Sequence, residues 1–224
     1  MNPLELTGRA STHVTSVPEL GVAMHQFVVA PFAALREAAA AAGFDLRPVS
    51  GFRDFARQAT IWNGKFTGAR PALDAAGDPL DLTQLPPPAR IDAILCWSAL
   101  PGASRHHWGT DLDLIDAAAT APDYRPGLTL AEFSAGGPYA RASDWLERHA
   151  GRFGFFRPYR GIASGVQAEP WHFSFAPVAD AARRALSPAL LREALADSML
   201  EGKEWVLERL AELHARYVAA IDWP

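Results

Sequence analysis

Residues 104–116 read SRHHWGTDLDLID, and the last seven of them set the fold class. Within TDLDLID polar and apolar residues alternate from Asp111 to Leu114, which is the period of a half-buried strand. Asp111 and Asp113 share one face, Leu112 and Leu114 take the other, and Asp116 falls out of phase with Asp113. Residues 171–175, WHFSF, alternate in the same way. His172 and Ser174 point to one side, Phe173 and Phe175 to the core. Pro170 removes a backbone donor, so this second stretch is a turn entering a strand and not the middle of a helix. Strands set among helices without regular β-α-β alternation predict a single α+β domain with a small, mostly antiparallel sheet flanked by helices.

Outward from these strands, residues 19–43 read as a helix that ends at Gly43 and is split by Pro31. DLRPVSGF (45–52) reads as a short strand. Asp54 is placed to cap the helix FARQATIW, which Asn63-Gly64 ends. Residues 64–90 are rich in Gly, Pro and Asp and read as one long excursion of the lid type. ARIDAILCWSAL is helical, and ASDWLERHAGRFGF is a helix with Ser143 as its cap. Ser187-Pro188 starts another helix. Val206, Leu210, Leu213 and Tyr217 then recur at helical spacing, which predicts packing against the body of the protein. The expected division is a motif-bearing domain over 1–176 and a C-terminal helical extension over 177–224 on the same domain.

The 224 residues suffice for one well-cored domain. A net charge of −4 with no basic block gives no electrostatic reason to expect nucleic acid as a partner. The lone cysteine, Cys96, excludes an intramolecular disulfide and a multi-thiolate metal site. It reads as a small core residue. No apolar run is long enough to span a bilayer. The N-terminus carries no basic segment followed by an apolar core, so the literal expectation is a cytoplasmic protein. A periplasmic or extracellular location remains open to a signal lost upstream or to another route of export.

Several residues on these strands carry metal-binding chemistry. Adjacent His106 and His107 diverge if the chain is extended, so they do not serve one metal together. Aspartates on a buried strand face must be paired, hydrogen-bonded or metal-bound. The plainer reading of Asp111 and Asp113 is a wet polar face. An open catalytic zinc site takes three His or carboxylate ligands and a water, with a base that does not bind the metal. His106, one aspartate, His172 and Glu169 supply those parts, and alternation leaves the choice between Asp111 and Asp113 open. No HExxH helix is present.

Three stretches in order, SGFRDFARQ (50–58), SRHHWGTDLD (104–113) and EPWHF (169–173), resemble the signatures SGYR, SxHxxGxAxD and EPWH. These belong to zinc metallopeptidases of the D-alanyl-D-alanine dipeptidase and carboxypeptidase family, the VanX and VanY type. The likeness covers roughly residues 45–176. It implies that His106, Asp113 and His172 ligate Zn2+ and that Glu169 is the catalytic base. It further implies that Arg53 holds the substrate beside the scissile carbonyl, Ser104 contacts the peptide backbone, and Ser50 and Gln58 line the pocket. Trp171 is expected to pack beneath His172. Phe52 stands where the family has Tyr, which keeps the ring. Asp111 stands where it has Ala, either as a partner that orients a ligating histidine or facing away from the metal. His107 receives no role. The implied substrate is a short, D-amino-acid-containing cell-wall peptide, ending in D-Ala-D-Ala. The rival readings are an L-alanyl-D-glutamate endopeptidase of the lysin kind and a non-catalytic, hedgehog-like zinc module. Retention of both Glu169 and Arg53 argues for catalysis. Oligomeric state is not legible.

Overall fold

Three small antiparallel sheets and ten α-helices make up the protein, in a computed structural model that describes residues 1–224. A one-turn helix α1 (Pro3–Leu6) precedes the hairpin β1 (Val14–Val17) and β2 (Val22–His25). Helix α2 (Val29–Ala41) leads into β3 (Leu46–Ser50), and α3 (Phe55–Phe66) follows. The Gly/Pro-rich excursion carries a two-residue hairpin, β4 (Ala72–Leu73) with β5 (Pro79–Leu80), before α4 (Pro87–Leu95). Strand β6 (Asp111–Asp116) lies at the centre of the main sheet. It is followed by α5 (Leu130–Phe133), α6 (Ala140–His149), β7 (Phe155–Phe156) and β8 (His172–Phe175). The chain closes with α7 (Ala176–Ala185), α8 (Pro188–Ala196), α9 (Lys203–Glu208), α10 (Leu210–His214) and a π-helical turn over Ala215–Ala219. No helix is long and apolar enough to cross a membrane.

The main sheet runs β3-β6-β8-β7, every pair antiparallel. One of its faces packs into an apolar interior. Leu112, Leu114, Phe173 and Phe175 pack against Phe32 and Leu35 of α2 and Trp145 and Leu146 of α6. A larger, helical interior joins Trp62 of α3 and Ile91 of α4 to Leu191, Val206, Leu210 and Leu213 of the C-terminal helices. Three polar contacts fasten that C-terminal segment to α3, one of them the Glu201 N–H donating to Asn63 Oδ1 at 2.9 Å. The Trp62 indole N–H donates to the Glu201 carbonyl at 3.0 Å, and the Asn63 amide donates to the Met199 carbonyl at 2.8 Å.

Some helix signals act as the residues dictate. The Asp54 carboxylate accepts the Arg57 N–H at 2.7 Å, and Ser187 caps α8 ahead of Pro188. Others yield to tertiary pairing. Residues 22–25 are a strand and not helix, because each finds a cross-strand partner in β1, from Val22 opposite Val17 to His25 opposite Val14. The helix starts only at Val29, so Pro31 falls in its first turn, where the missing N–H costs no hydrogen bond and no kink arises. Helix α3 continues through Asn63-Gly64 to Phe66. Ser143 is no cap. It is buried inside α6, where its hydroxyl accepts from Arg157 at 2.9 Å. Cys96 is half-buried at the end of α4.

Candidate metal centre

Strand register assembles the site. In the ladder of β3, β6 and β8, Asp113 lies opposite Ser50 on one side and opposite His172 on the other. Asp111 lies opposite Ser174 two residues along. The polar positions of three strands thus form one patch, and the leucines and phenylalanines between them face the α2–α6 interior.

The other histidine comes from a turn. Residues Arg105–Trp108 form a 3-10 helix, not the extended chain expected, and the two histidines diverge because each ring is tied to a different carbonyl. His106 Nδ1 meets the Gly51 carbonyl at 2.9 Å, which leaves Nε2 free, 3.3 Å from Asp113 Oδ2. His107 Nδ1 meets the Arg53 carbonyl at 2.6 Å, and its Nε2 accepts the Gly102 N–H at 3.1 Å. The Arg53 N–H donates to the His106 carbonyl at 3.1 Å, so residues 51–53 brace the turn at both histidines. Glycine is required at both approaches. A Cβ on Gly51 would sit 2.6 Å from the Ala23 carbonyl oxygen. Gly109 ends the turn at φ 65°, with a Cβ position 2.7 Å from the His25 nitrogen.

His106, Asp113 and His172 are all buried, and one donor atom from each lies within 4.8 Å of the others. Asp113 Oδ1 is buried with no hydrogen-bond partner, although His172 Nδ1 stands 3.3 Å away, off the line of a hydrogen bond. Two imidazole nitrogens and a carboxylate oxygen, one of them orphaned, suit a divalent metal ion with an open position. Burial pushes the Asp113 carboxyl up, but the imidazoles of His106 and His172 outweigh it and hold it far below the usual carboxylate range.

Asp111 is the residue that sequence left least explained. It is fully buried, and its Oδ1 accepts from His172 Nε2 at 2.8 Å and from Arg105 Nε at 2.8 Å. Its Oδ2 takes the hydroxyls of Thr110 at 2.6 Å and Ser174 at 3.0 Å. With Nε2 so engaged, His172 turns Nδ1 toward Asp113 and Glu169. Burial pushes His172 down, yet the carboxylates of Asp111, Asp113 and Glu169 raise it well above its ordinary value. Arg105, buried between the Trp108 and Phe156 rings, is the counterion that makes Asp111 tolerable there. Arg105 had not been singled out in the sequence. The available signal was a cation inside a motif whose aspartate needed a partner.

Glu169, on the loop before β8, places Oε2 3.2 Å from His172 Nδ1. Arg53 is held by two neighbours, Nη1 donating to Gln58 Oε1 at 2.9 Å and Nη2 to Ser50 Oγ at 3.0 Å. Gln58 is buried and also donates to the Ala99 carbonyl at 2.7 Å. Ser50 and Gln58 therefore stand behind Arg53 and not on the cavity wall. Arg53, Ser104, His106, Asp113, Glu169 and His172 all line one cavity of about 320 Å³. Trp171 forms part of its wall and packs against Phe133 at 5.5 Å between ring centres. Tyr217 and Val218 of the π-helical turn close another side, so the C-terminal segment reaches the site.

The comparisons with known proteins agree with this frame. The fold and the family match place the chain among the peptidases. The sequence model of VanY, D-alanyl-D-alanine carboxypeptidase, matches residues 21–178, and the chain belongs to that family. An uncharacterized protein of Haemophilus influenzae is 45% identical over 103 residues, 45% of this chain and 70% of the relative. A second from the same organism is 32% identical over 132 residues, 56% of this chain and 95% of that one. Among solved structures, VanYB in complex with D-alanine-D-alanine superposes with a TM-score of 0.54 at 21% identity, over 88% of this chain and 90% of that chain. A mutant of the D,D-pentapeptidase VanY from the VanB-type resistance cassette, in complex with Zn(II), gives 0.53 at 22% identity over the same shares. At these identities the structural likeness speaks to the α+β fold.

Proposed function

We propose that the protein is a zinc-dependent peptidase that hydrolyses the terminal peptide bond of short peptidoglycan-type peptides, as a D-alanyl-D-alanine carboxypeptidase or dipeptidase. The observation that carries this reading is the convergence of three buried donor atoms with Glu169 on one cavity. His106 Nε2, an Asp113 oxygen and His172 Nδ1 would hold the zinc, which when bound supplies Lewis acidity toward water and carbonyl oxygen.

The chain's own groups do the rest. Glu169 takes a proton from the attacking water and passes it to the leaving amine, the double duty of a general acid–base. Arg53 donates to the carbonyl oxygen as negative charge develops there. Its head group is already fixed by Ser50 and Gln58, so little reorganisation is needed, and such a donor contributes about 3–4 kcal/mol. Two of its five N–H groups are engaged, which leaves three for substrate. Ser104 lines the cavity, which supports its role as the contact to the peptide backbone. The apolar residues of the cavity suit small side chains such as that of alanine.

The test is Glu169→Ala with zinc content measured on the same sample. Turnover of a D-Ala-D-Ala-terminated peptide should fall about 10²- to 10⁴-fold with one zinc retained. Wild-type turnover by that variant sinks the mechanism. Release of fragments from L-Ala-D-Glu bonds, with D-Ala-D-Ala termini left intact, favours the endopeptidase instead.

A further inference from the structure

We infer that Lys65 anchors the free C-terminal carboxylate of the substrate, and so makes this site one that removes a terminal residue and does not cut within a chain. The inference rests on the peptidase reading above and adds the group that fixes where the bond is cut.

Lys65 lies outside every motif that marked the site. Gln58, Ile61 and Lys65 follow one another at spacings of three and four along α3, so they share one face. Ile61 and Lys65 line the cavity, and Gln58 holds Arg53 beside it. From Gln58 to Lys65 the axis rises about 10 Å. Helical side chains lean toward the N-terminus, however, and the Lys65 ammonium lies near enough to Arg53 to feel its charge. The far wall holds both groups. The Gln58 amide meets the Ala99 carbonyl at 2.7 Å, and the Lys65 ammonium meets the Ser98 hydroxyl at 2.7 Å. Two neighbouring residues of one segment thus receive the group that holds Arg53 and the ammonium.

The charges point the same way. Of the three lysine and arginine side chains on the cavity, Arg105 has Asp111 as its counterion. Arg53 and Lys65 have no carboxylate within ion-pairing distance. Arg53 meets neutral Gln58 and Ser50, and Lys65 meets neutral Ser98. An ammonium has three donors, and only one is spent here. Burial lowers the Lys65 pKa, and the Glu169 carboxylate, which forms no ion pair with it, offsets that only in part. Asp113 and Glu169, the acidic residues on the cavity, stand at the His172 imidazole. An anion from the substrate is the remaining partner. In the terminal residue of a peptide that anion is the carboxylate. In the interior of a chain the same position holds a neutral amide, which offers an ammonium far less.

The experiment measures binding, so that it stands apart from hydrolysis. Zinc-loaded Glu169→Ala protein is titrated calorimetrically with an N-acetylated tripeptide ending in D-Ala-D-Ala, and with the same tripeptide as its C-terminal amide. The free acid should bind at least tenfold more tightly. Adding Lys65→Met, which keeps the stem and removes the charge, should weaken the acid about ten- to hundredfold and leave the amide within about twofold. Lys65→Arg should recover part of the loss, which excludes a folding defect as its cause. The inference is overturned if the Lys65→Met protein still prefers the acid, or if the parent binds acid and amide alike. A protein that shows this preference but cuts neither peptide with Glu169 restored would overturn the hydrolytic reading and leave the carboxylate anchor standing.

Discussion

Asp111 decides which nitrogen of His172 faces the cavity. By accepting from Nε2 at 2.8 Å it presents Nδ1 to the metal position, and Arg105, Thr110 and Ser174 hold the carboxylate so that it cannot turn away. Carboxylates in this position strengthen metal–histidine bonds and orient the ring. Asp111→Asn keeps the shape and removes the charge. It should weaken zinc binding about ten- to hundredfold, read by competition with a chromophoric chelator. Unchanged affinity would leave Asp111 as a mere counterion of Arg105. His107 makes a second residue-scale prediction. Burial pushes its pKa down to about 4; the neutral ring donates through Nδ1 to the Arg53 carbonyl and accepts through Nε2 from Gly102, an acceptor that protonation destroys. The unfolded chain titrates near 6.5, so His107 contributes stability above that pH and loses it as the pH falls toward 4. Between pH 7 and pH 5 the contribution should fall by about 2 kcal/mol. Urea unfolding at both pH values should show a shallower pH slope for His107→Gln than for the wild type.

At the scale of elements, legibility followed the strength of the periodic pattern. β6 and β8 could be read because alternation of Asp with Leu and of His and Ser with Phe admits no helical phase. Residues 22–25 could not, because the apolar run around them fits a helix as well as a strand, and only the β1 partner settles it. The hairpin of β4 and β5 is too short for any period to register. The site was legible where a residue type has few other uses, as with Glu169, Arg53 and the histidines of the motifs. Arg105 and Lys65 stayed hidden because a lone cation is ordinarily solvated and its burial is a tertiary fact. The C-terminal helices were legible as amphipathic, and their apolar side joins the largest interior of the protein. Leu210 is 1% exposed in α10, and Leu210→Ala should cost about 2–5 kcal/mol in denaturant titrations. A loss below about 1 kcal/mol would mean that the segment is only loosely attached. Because Tyr217 lies on the cavity wall two turns further on, the same variant should also raise KM for peptide.

Across the whole molecule, a polar seam lies between two apolar interiors, and β6 is its central strand. Its odd-numbered carboxylates, Asp111 and Asp113, serve the seam, while Leu112 and Leu114 seal the smaller interior. The row Ser50–Asp113–His172 exists only in this register. A strand with both faces committed has no spare position. Inserting or deleting one residue within it would send leucines into the seam and carboxylates into the oil, so chemistry and folding would be lost in one event. Length variants of this protein can therefore survive in the excursion between α3 and α4 but not in β6. Ancestry written in gaps would pass around that strand, and a library of single-residue deletions tiled along the gene would show it as a stretch of silence.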